Sequence, residues 1–309
     1  MPKQSRISYF ALRALNIEIA SIKDSSNVFS SNHNKMAGVN SSSSIGSKLR
    51  MKWWRDAINE IYNDSEGNNQ ENLLHTLGSN TSILKHPIVR SLHYVAQEKK
   101  LTRRFIDRML DARDGDLGVM QLETMDELVR YSEMTVSSLL YLTLECCDVV
   151  NDDADDMAYN IGIGIGIVNA IRSIAYKTAS NSEEIAIPKD VMIAYEVSGR
   201  TLKNLYINSE KLSEAEKLEN DALREAVKDM SNIARFYLQH GRRGQRYIQN
   251  DGRICFLPAV VSLNYLDMLE DLDYDIFNIN LISADSLHNR IHAIKNMMCL
   301  SRAWLTGVF

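Results

Sequence analysis

The chain has 309 residues, of which 45% are hydrophobic and 24% charged. This composition is typical of a globular protein that buries roughly 75% of the surface its unfolded form exposes, and it excludes disordered, collagen-like and coiled-coil proteins. The 35 Lys and Arg residues are outnumbered by 40 Asp and Glu residues, so the formal net charge is -5. Without a general positive field, the chain is not expected to bind nucleic acid.

The spacing of apolar residues predicts helices throughout the chain. Apolar side chains recur every three or four residues over 101–118 and 125–146, which is the repeat of an amphipathic helix. Only four prolines interrupt the chain, and no stretch alternates polar and apolar residues as a half-buried strand does. We therefore predict an all-α fold with one helical domain over residues 8–309.

A Ser- and Asn-rich segment, residues 25–48, interrupts this pattern near the amino end. Such a segment buries too little apolar surface to offset the entropy lost on ordering. We predict a flexible insertion there, and a weaker version of it over residues 63–82.

Membrane, disulfide and metal signals are weak. The longest apolar run, residues 161–171, is about half of the roughly 20 residues that a membrane-spanning helix needs, so no spanning helix is expected. Four cysteines without a C-x-x-C motif or an apolar leader indicate reduced thiols in an intracellular compartment. His288 and His292 are one helical turn apart, but no third ligand lies near them in the sequence. No metal or cofactor is predicted.

Carboxylates spaced D-x-x-x-D lie on one face of a helix and can share a Mg²⁺ ion that binds a diphosphate. The spacing occurs at Asp107/Asp111, Asp152/Asp156, Asp267/Asp271 and Asp271/Asp275. Because the chain is acidic, we interpret these pairs as solvated helix faces or helix caps. The acidic run 151–156 precedes an apolar segment and predicts the start of a helix.

Glycine occupies every second position at Gly162, Gly164 and Gly166. Neither a dinucleotide fingerprint nor a P-loop ending accompanies these residues. We predict a tightly packed helix, which a neighbouring helix or a lipid chain approaches closely.

A basic segment follows at residues 239–247 and contains Arg242, Arg243 and Arg246. A solvated surface is one interpretation. Contact with an anionic lipid headgroup or an acidic partner is the other.

The order of nine segments resembles the squalene/phytoene synthase family over nearly the whole chain. They are Phe10–Glu18 (FALRALNIE), Leu49–Asp56 (LRMKWWRD), Leu110–Leu117 (LDARDGDL), Tyr131–Leu142, Gly162–Arg172, Ile187–Asp190 (IPKD), Ala234–Arg235, Phe256–Pro258 (FLP) and Asp275–Phe277 (DIF). The resemblance implies an all-α isoprenoid-synthase fold.

The two aspartate-rich motifs of an active family member would fall at residues 20–24 and just after the Gly-rich helix, at residues 173–177. Asp24 alone matches the first motif, and Lys23 and Lys177 bring positive charge to places where metal-binding acids are expected. The resemblance therefore implies a degenerate site without catalytic residues. The residues that still match the family and would line a vestigial cavity are Asp24, Asp111, Asp116, Asn169 and Arg172.

Within the family the chain is most similar to the branch that makes no carotenoids and acts in assembling respiratory complex I. This similarity implies a mitochondrial protein on the matrix side of the inner membrane, attached peripherally, with complex I subunits or other assembly factors as partners. An active head-to-head prenyltransferase using allylic diphosphates is one alternative. A non-catalytic protein that binds an isoprenoid or lipid ligand is another.

The amino end has two interpretations. The first 17 residues contain Lys3, Arg6 and Arg13 and no acid, as a mitochondrial presequence does. An incomplete or alternative amino end is the other interpretation, because family members usually have a further helix before the Phe10 region.

Overall fold

The structure, a computed structural model, describes residues 5–31, 40–66, 85–180, 182–207, 213–248, 250–282 and 286–306. Within these ranges the regular elements are helices and no residue lies in a strand. The predicted all-α class is confirmed.

Helices account for most of the described residues. They are α1 (Ser5–Ser31), α2 (Asn40–Glu66), α3 (Pro87–Lys99), α4 (Arg103–Gly115), α5 (Met125–Ser132), α6 (Ser138–Cys146), α7 (Asp152–Ala179), α8 (Lys189–Ala194), α9 (Gly199–Ile207), α10 (Glu214–Arg242), α11 (Asn250–Arg253), α12 (Pro258–Asp271), α13 (Ile279–Ile282) and α14 (Leu287–Thr306). A π-helical turn, Glu133–Ser137, joins α5 to α6, and 3₁₀ turns cover Arg243–Tyr247 and Ile254–Phe256.

Contacts divide the chain into two compact units. The first comprises residues 1–118 and 138–150, and the second comprises residues 119–137 and 151–309. The single domain over residues 8–309 stays a prediction.

The first unit is built around α1. Its apolar stripe, with Leu15 and Ile22 fully buried, packs against α2, α3 and α6. Trp54 of α2 lies in this core at 3% exposure, and the ring of the adjacent Trp53 meets it edge-on with the centroids 5.0 Å apart. Packing of one stripe from each helix produces this core, as the three- and four-residue spacing predicts.

The second unit is built around α7. Residues 161–168 of this helix are all buried, because α5, the π-helical turn, α10 and α12 pack around it. The 28-residue α7 is long and apolar enough to cross a membrane, but 67% of its apolar window is buried inside the protein, and core helices pass the same test. The apolar stretch is longer than the sequence run because it extends into flanking residues of the same helix. Our expectation that the chain has no membrane-spanning helix stays a prediction.

Part of the predicted insertion at 25–48 lies in helices. Helix α1 continues to Ser31 and α2 begins at Asn40, so the backbone of 25–31 and 40–48 is helical. Residues 32–39 lie outside the described residues, and so do 67–82 of the second predicted loop. Once a packed helix exists, each added residue makes one more backbone hydrogen bond, so helices extend into poor helix-forming sequence.

Candidate functional site

The region of the first expected aspartate motif lies near the end of α1. Lys23 donates from Nζ to Oδ1 of Asp116 over 2.9 Å, and the two side chains are only 18% and 15% exposed. Asp116 caps the end of α4, where its backbone N–H donates to the carbonyl oxygen of Ala112. An internal ion pair therefore occupies this position, and Asp24 beside it is exposed.

Asp111 of α4 is engaged by an arginine. Arg55 of α2 donates from one nitrogen to Asp111 over 2.7 Å and from another to Asp114 over 3.2 Å. Partial burial lowers the pKa of the Arg55 guanidinium, but the hydrogen bonds and charges of the two acids outweigh that effect and raise the pKa. Asp111 and Asp116 are thus paired with cations of the same unit.

The region of the second expected motif lies in the last turns of α7. Lys177 Nζ lies 3.0 Å from Oε2 of Glu184, whose side chain is 4% exposed. Ser173 donates to the carbonyl oxygen of Ala170 within the same helix. Glu184 lies in the connection to α8, and the sequence offered no spacing signal by which to find it as a partner of Lys177.

The other two predicted site residues, Asn169 and Arg172, are exposed on α7. The guanidinium carbon of Arg172 lies 5.5 Å from the ring centroid of Tyr265 in α12. Burial raises the pKa of the Tyr265 hydroxyl, while the charge of Arg172 lowers it in part, and the resulting pKa is about 12. Asp24, Asp111 and Asp116 belong to the first unit and these two residues to the second, so the vestigial cavity stays a prediction.

Three further acids of the D-x-x-x-D pairs form ion pairs with arginines. Arg103 pairs with Asp107 at 3.2 Å, Arg235 with Asp267 at 2.8 Å, and Arg224 with Asp275 at 3.1 Å. Asp107 and Asp267 lie on helices, as the spacing predicts, whereas Asp275 follows the end of α12 and is not on a helix face. Only the structure identifies the arginines that bind these acids.

The acidic run at the start of α7 forms a helix terminus, as predicted. Asn151 caps the helix by accepting a hydrogen bond from the backbone N–H of Asp153 over 2.7 Å. Partial burial raises the pKa of Asp155, and the charges of Asp152 and Asp156 raise it further. Across all the described ranges, no cluster of three or more His, Cys, Asp and Glu residues could hold a metal ion.

The glycines of α7 allow close contact with neighbouring helices, as predicted. A Cβ on Gly162 would lie 2.3 Å from Ser137 Oγ, and one on Gly166 would lie 2.3 Å from Ser132 Oγ. These two serines flank the π-helical turn, and Ser137 donates to the carbonyl oxygen of Tyr159 in α7 over 2.9 Å. The π-helical turn thus packs directly against the backbone of α7 at the glycines, which have no side chains.

The basic segment after α10 contains two described arginine side chains. Arg242 is half-buried, and burial lowers the pKa of its guanidinium. Arg243 is exposed, and the side chain of Arg246 lies outside the described residues. Contact of this segment with a membrane or partner stays a prediction.

The sequence model of the squalene/phytoene synthase family matches residues 1–292, and the chain belongs to this family. A Bos taurus relative named "NADH dehydrogenase (ubiquinone) complex I, assembly factor 6" is 28% identical over 93% of this chain and 72% of its own length. The Homo sapiens protein of that name is also 28% identical, with the same coverage of both chains. A Dictyostelium discoideum homolog is 30% identical over 89% of this chain and 65% of its own length.

Two solved structures show the same fold. A dehydrosqualene synthase crystallised with a ligand superposes with a TM-score of 0.64 at 16% identity, covering 98% of this chain and 89% of the other. The squalene synthase HpnC of Alicyclobacillus acidocaldarius superposes with a TM-score of 0.53 at 13% identity, covering 89% and 97%. The chain therefore has the isoprenoid-synthase fold that the resemblance implied.

Proposed function

We propose that this protein acts in the assembly of mitochondrial NADH dehydrogenase, complex I, by binding and without catalysing prenyl transfer. The relatives that carry the name of a complex I assembly factor include animal proteins and one from Dictyostelium, and they match about nine-tenths of this chain. Its partners are complex I subunits or other assembly factors, and its place is the matrix side of the inner membrane, attached peripherally.

The observation that carries the non-catalytic part of the proposal is the pair of ion pairs Lys23–Asp116 and Lys177–Glu184. Prenyl transfer requires metal ions, held on carboxylates, to neutralise the charge that develops on a departing diphosphate. Here an ammonium group lies where the family resemblance expects each carboxylate motif. An acid of the same unit already neutralises each of these lysines, so the residues present do not fit a Mg²⁺–diphosphate site.

A test of catalysis uses the purified protein with farnesyl or geranylgeranyl diphosphate and either Mg²⁺ or Mn²⁺. We expect no release of pyrophosphate, because the loss of one well-placed electrostatic group costs roughly 10²- to 10³-fold in rate and two motifs are affected. Metal-dependent release that Asp152→Ala or Asp156→Ala abolishes would establish the chain as an active prenyltransferase.

A test of the assembly role uses cells that lack the protein. We expect blue native gels to show a loss of mature complex I, and re-expression of the full chain to restore it. Proximity labelling in intact cells identifies the partners, and complex I subunits and assembly factors are expected among the labelled proteins. Normal complex I in the deleted cells would contradict the proposal.

The peripheral attachment is tested by extraction of mitochondrial membranes. Charge from Arg242, Arg243 and Arg246 would attract the protein to anionic lipids, so salt or alkaline carbonate should release it. Retention in the carbonate pellet would contradict peripheral attachment. Native mass spectrometry after mild extraction tests the lipid-carrier alternative, which a co-purified isoprenoid or lipid would support.

A further inference from the structure

Helix α14 exposes its apolar side chains to solvent. Large hydrophobic residues that are 55% to 75% exposed lie along one side of it. They are Ile291, Ile294, Met297, Met298, Trp304 and Leu305. The spacings of three, four and seven residues between Ile291, Ile294, Met298 and Leu305 place these four residues on one helix face, which we call the outer face.

The opposite side of α14, which packs against α12, buries polar groups together with Ala303. Asn264 of α12 donates from Nδ2 to Oδ1 of Asn296 over 2.6 Å, and Asn264 is 7% exposed. His292 is 8% exposed, and its ring centroid lies 4.6 Å from that of His288. An ordinary surface helix turns its large apolar side chains to the core, whereas α14 leaves most of them exposed.

The neighbouring helix α13 also exposes large apolar side chains. Ile279 and Ile282 are 70% and 42% exposed, and α13 packs against α14. The side-chain amide of Asn289 in α14 donates to the carbonyl oxygen of Leu281 over 3.3 Å. Exposed apolar side chains therefore occur on both of these helices.

The charges of α14 indicate what kind of partner its outer face binds. The 20 residues of the helix include Arg290, Lys295 and Arg302 and no Asp or Glu, although the whole chain has 40 acids and a net charge of -5. Lys295 and Arg302 are seven residues apart and lie on one flank of the outer face, and Arg290 lies on the other flank. Lys295 also lies 3.8 Å from Asp267 of α12, so this cation is drawn in part toward α12. An apolar face bordered by cations on a short helix is the pattern of a helix that lies in the interface of an anionic bilayer.

We propose that α14 is the membrane-contacting helix of this protein, with its outer face among lipid acyl chains and its cations at anionic headgroups. This inference deepens the proposed function and rests on its peripheral membrane contact. It assigns that contact to a named helix and adds apolar insertion to the charge attraction of the basic segment at residues 239–247.

The test uses the full chain and flotation with phosphatidylcholine vesicles, with or without cardiolipin. We expect binding to the cardiolipin vesicles and weaker binding to the neutral ones. The variant Ile294→Glu/Met298→Glu should lower the bound fraction by about tenfold, because carboxylates cannot enter the acyl region. The matched control Ile207→Glu/Leu218→Glu changes two other exposed apolar residues and should bind as the unchanged chain does.

Fluorescence gives a second readout. Trp304 is 62% exposed in the protein alone, so its emission should shift to the blue when cardiolipin vesicles are added. The Trp304→Phe variant should lose that shift. Far-ultraviolet circular dichroism and thermal unfolding of every variant show that the fold is retained, which is expected because the altered side chains are exposed.

Four results would overturn the inference. Undiminished vesicle binding by Ile294→Glu/Met298→Glu would do so, and loss of binding only in Arg242→Gln/Arg243→Gln would leave the membrane contact in place without α14. A dimer that depends on the outer face, without vesicle binding, would identify a second copy as the occupant. Absence of binding to any vesicle would overturn both the α14 inference and the membrane contact, whereas the assembly role is tested separately by complex I levels in cells.

Discussion

Helices α7 and α14 are both rich in apolar residues, but the apolar side chains are buried in α7 and largely exposed in α14. In α7 every residue from Ile161 to Val168 is buried. Among the described side chains of α14, only His292 and Ala303 are buried, and the large apolar residues face outward. Apolar content alone therefore does not determine which helix lies in a core.

The difference in burial follows from the residues through which each helix packs against its neighbours. Glycines let α7 contact other helices on several sides at once, so there is no side from which its isoleucines could be exposed. Helix α14 packs on α12 with Asn296 hydrogen-bonded to Asn264, and its buried side chains are His292 and Ala303. One helix is stabilised by packing inside the protein, and the other leaves apolar surface for a different environment.

The largest expected difference between the two helices is in the cost of removing apolar side chains. Ile163 in α7 is 0% exposed, so Ile163→Ala should lower the free energy of unfolding by about 3 kcal/mol through lost burial and the cavity left behind. Met298→Ala on the outer face of α14 should change it by less than about 0.5 kcal/mol. Urea unfolding followed by circular dichroism measures both, and equal losses would contradict the contrast.

A smaller effect is expected from adding one methyl group to α7. In Gly162→Ala the new Cβ would lie 2.3 Å from Ser137 Oγ and 2.5 Å from Ser137 Cα, so the π-helical turn must move, at a cost of about 2 kcal/mol. The control is Gly115→Ala, where nothing lies within 4 Å of the new Cβ. A stability loss at Gly115 as large as that at Gly162 would show that packing is not the cause.

The polar packing of α14 is tested at its hydrogen bond to α12. Asn296→Ala removes the acceptor for the buried amide of Asn264, and an unsatisfied buried donor costs about 1 to 2 kcal/mol. Replacing both partners, as in Asn264→Leu/Asn296→Leu, should recover most of that loss, because no polar group is then left unsatisfied. If the double variant is less stable than Asn296→Ala, the hydrogen bond is not the main contribution at this position.

The smallest expected effect is the contribution of His292 in α14 to the pH dependence of the free energy of unfolding. Burial lowers the pKa of His292 from its usual value near 6.5, and the positive charges of His288 and Lys295 lower it further, against the opposing effect of Asp271 and Asp267 in α12. The unfolded chain therefore takes up the proton first as the pH falls below about 6.5, and the stability of the folded state decreases with falling pH.

The variant His292→Gln should weaken this pH dependence of the free energy of unfolding. His240→Gln, which changes an exposed histidine of α10, should leave it as it is in the unchanged chain. Urea unfolding at several pH values on either side of 6.5 provides the comparison, and an identical slope in both variants would count against the role of His292.

Much of the fold follows from local spacing. The repeat of apolar residues predicts the helices, and the acidic run before an apolar segment predicts the start of α7, because side-chain caps satisfy backbone N–H groups within the same few residues. The alternating glycines predict close packing because a residue without a Cβ atom lets a neighbouring helix approach the backbone. The ends of α1 and α2 could not be predicted this way, since helix extension depends on how firmly the preceding turns are packed.

The candidate site also has a part that the sequence predicts and a part that it does not. The positions of Lys23 and Lys177 follow from the family resemblance, but their partners Asp116 and Glu184 do not. Asp116 was a candidate for a different role, and Glu184 carried no signal. Ion pairs between residues far apart in the chain depend on where the backbone brings them together, and composition carries no information about that distance.

The sequence by itself determined the helical class and the family, because both depend on residue types in a fixed order along the chain. Only the tertiary structure decided that Ile163 is enclosed and Ile294 exposed, although both are isoleucines in helices. Burial is a property of the space around a side chain, and that space is built from helices distant in sequence. The outer face of α14 is exposed because α12 packs against the other side of the helix, the side that carries Asn296.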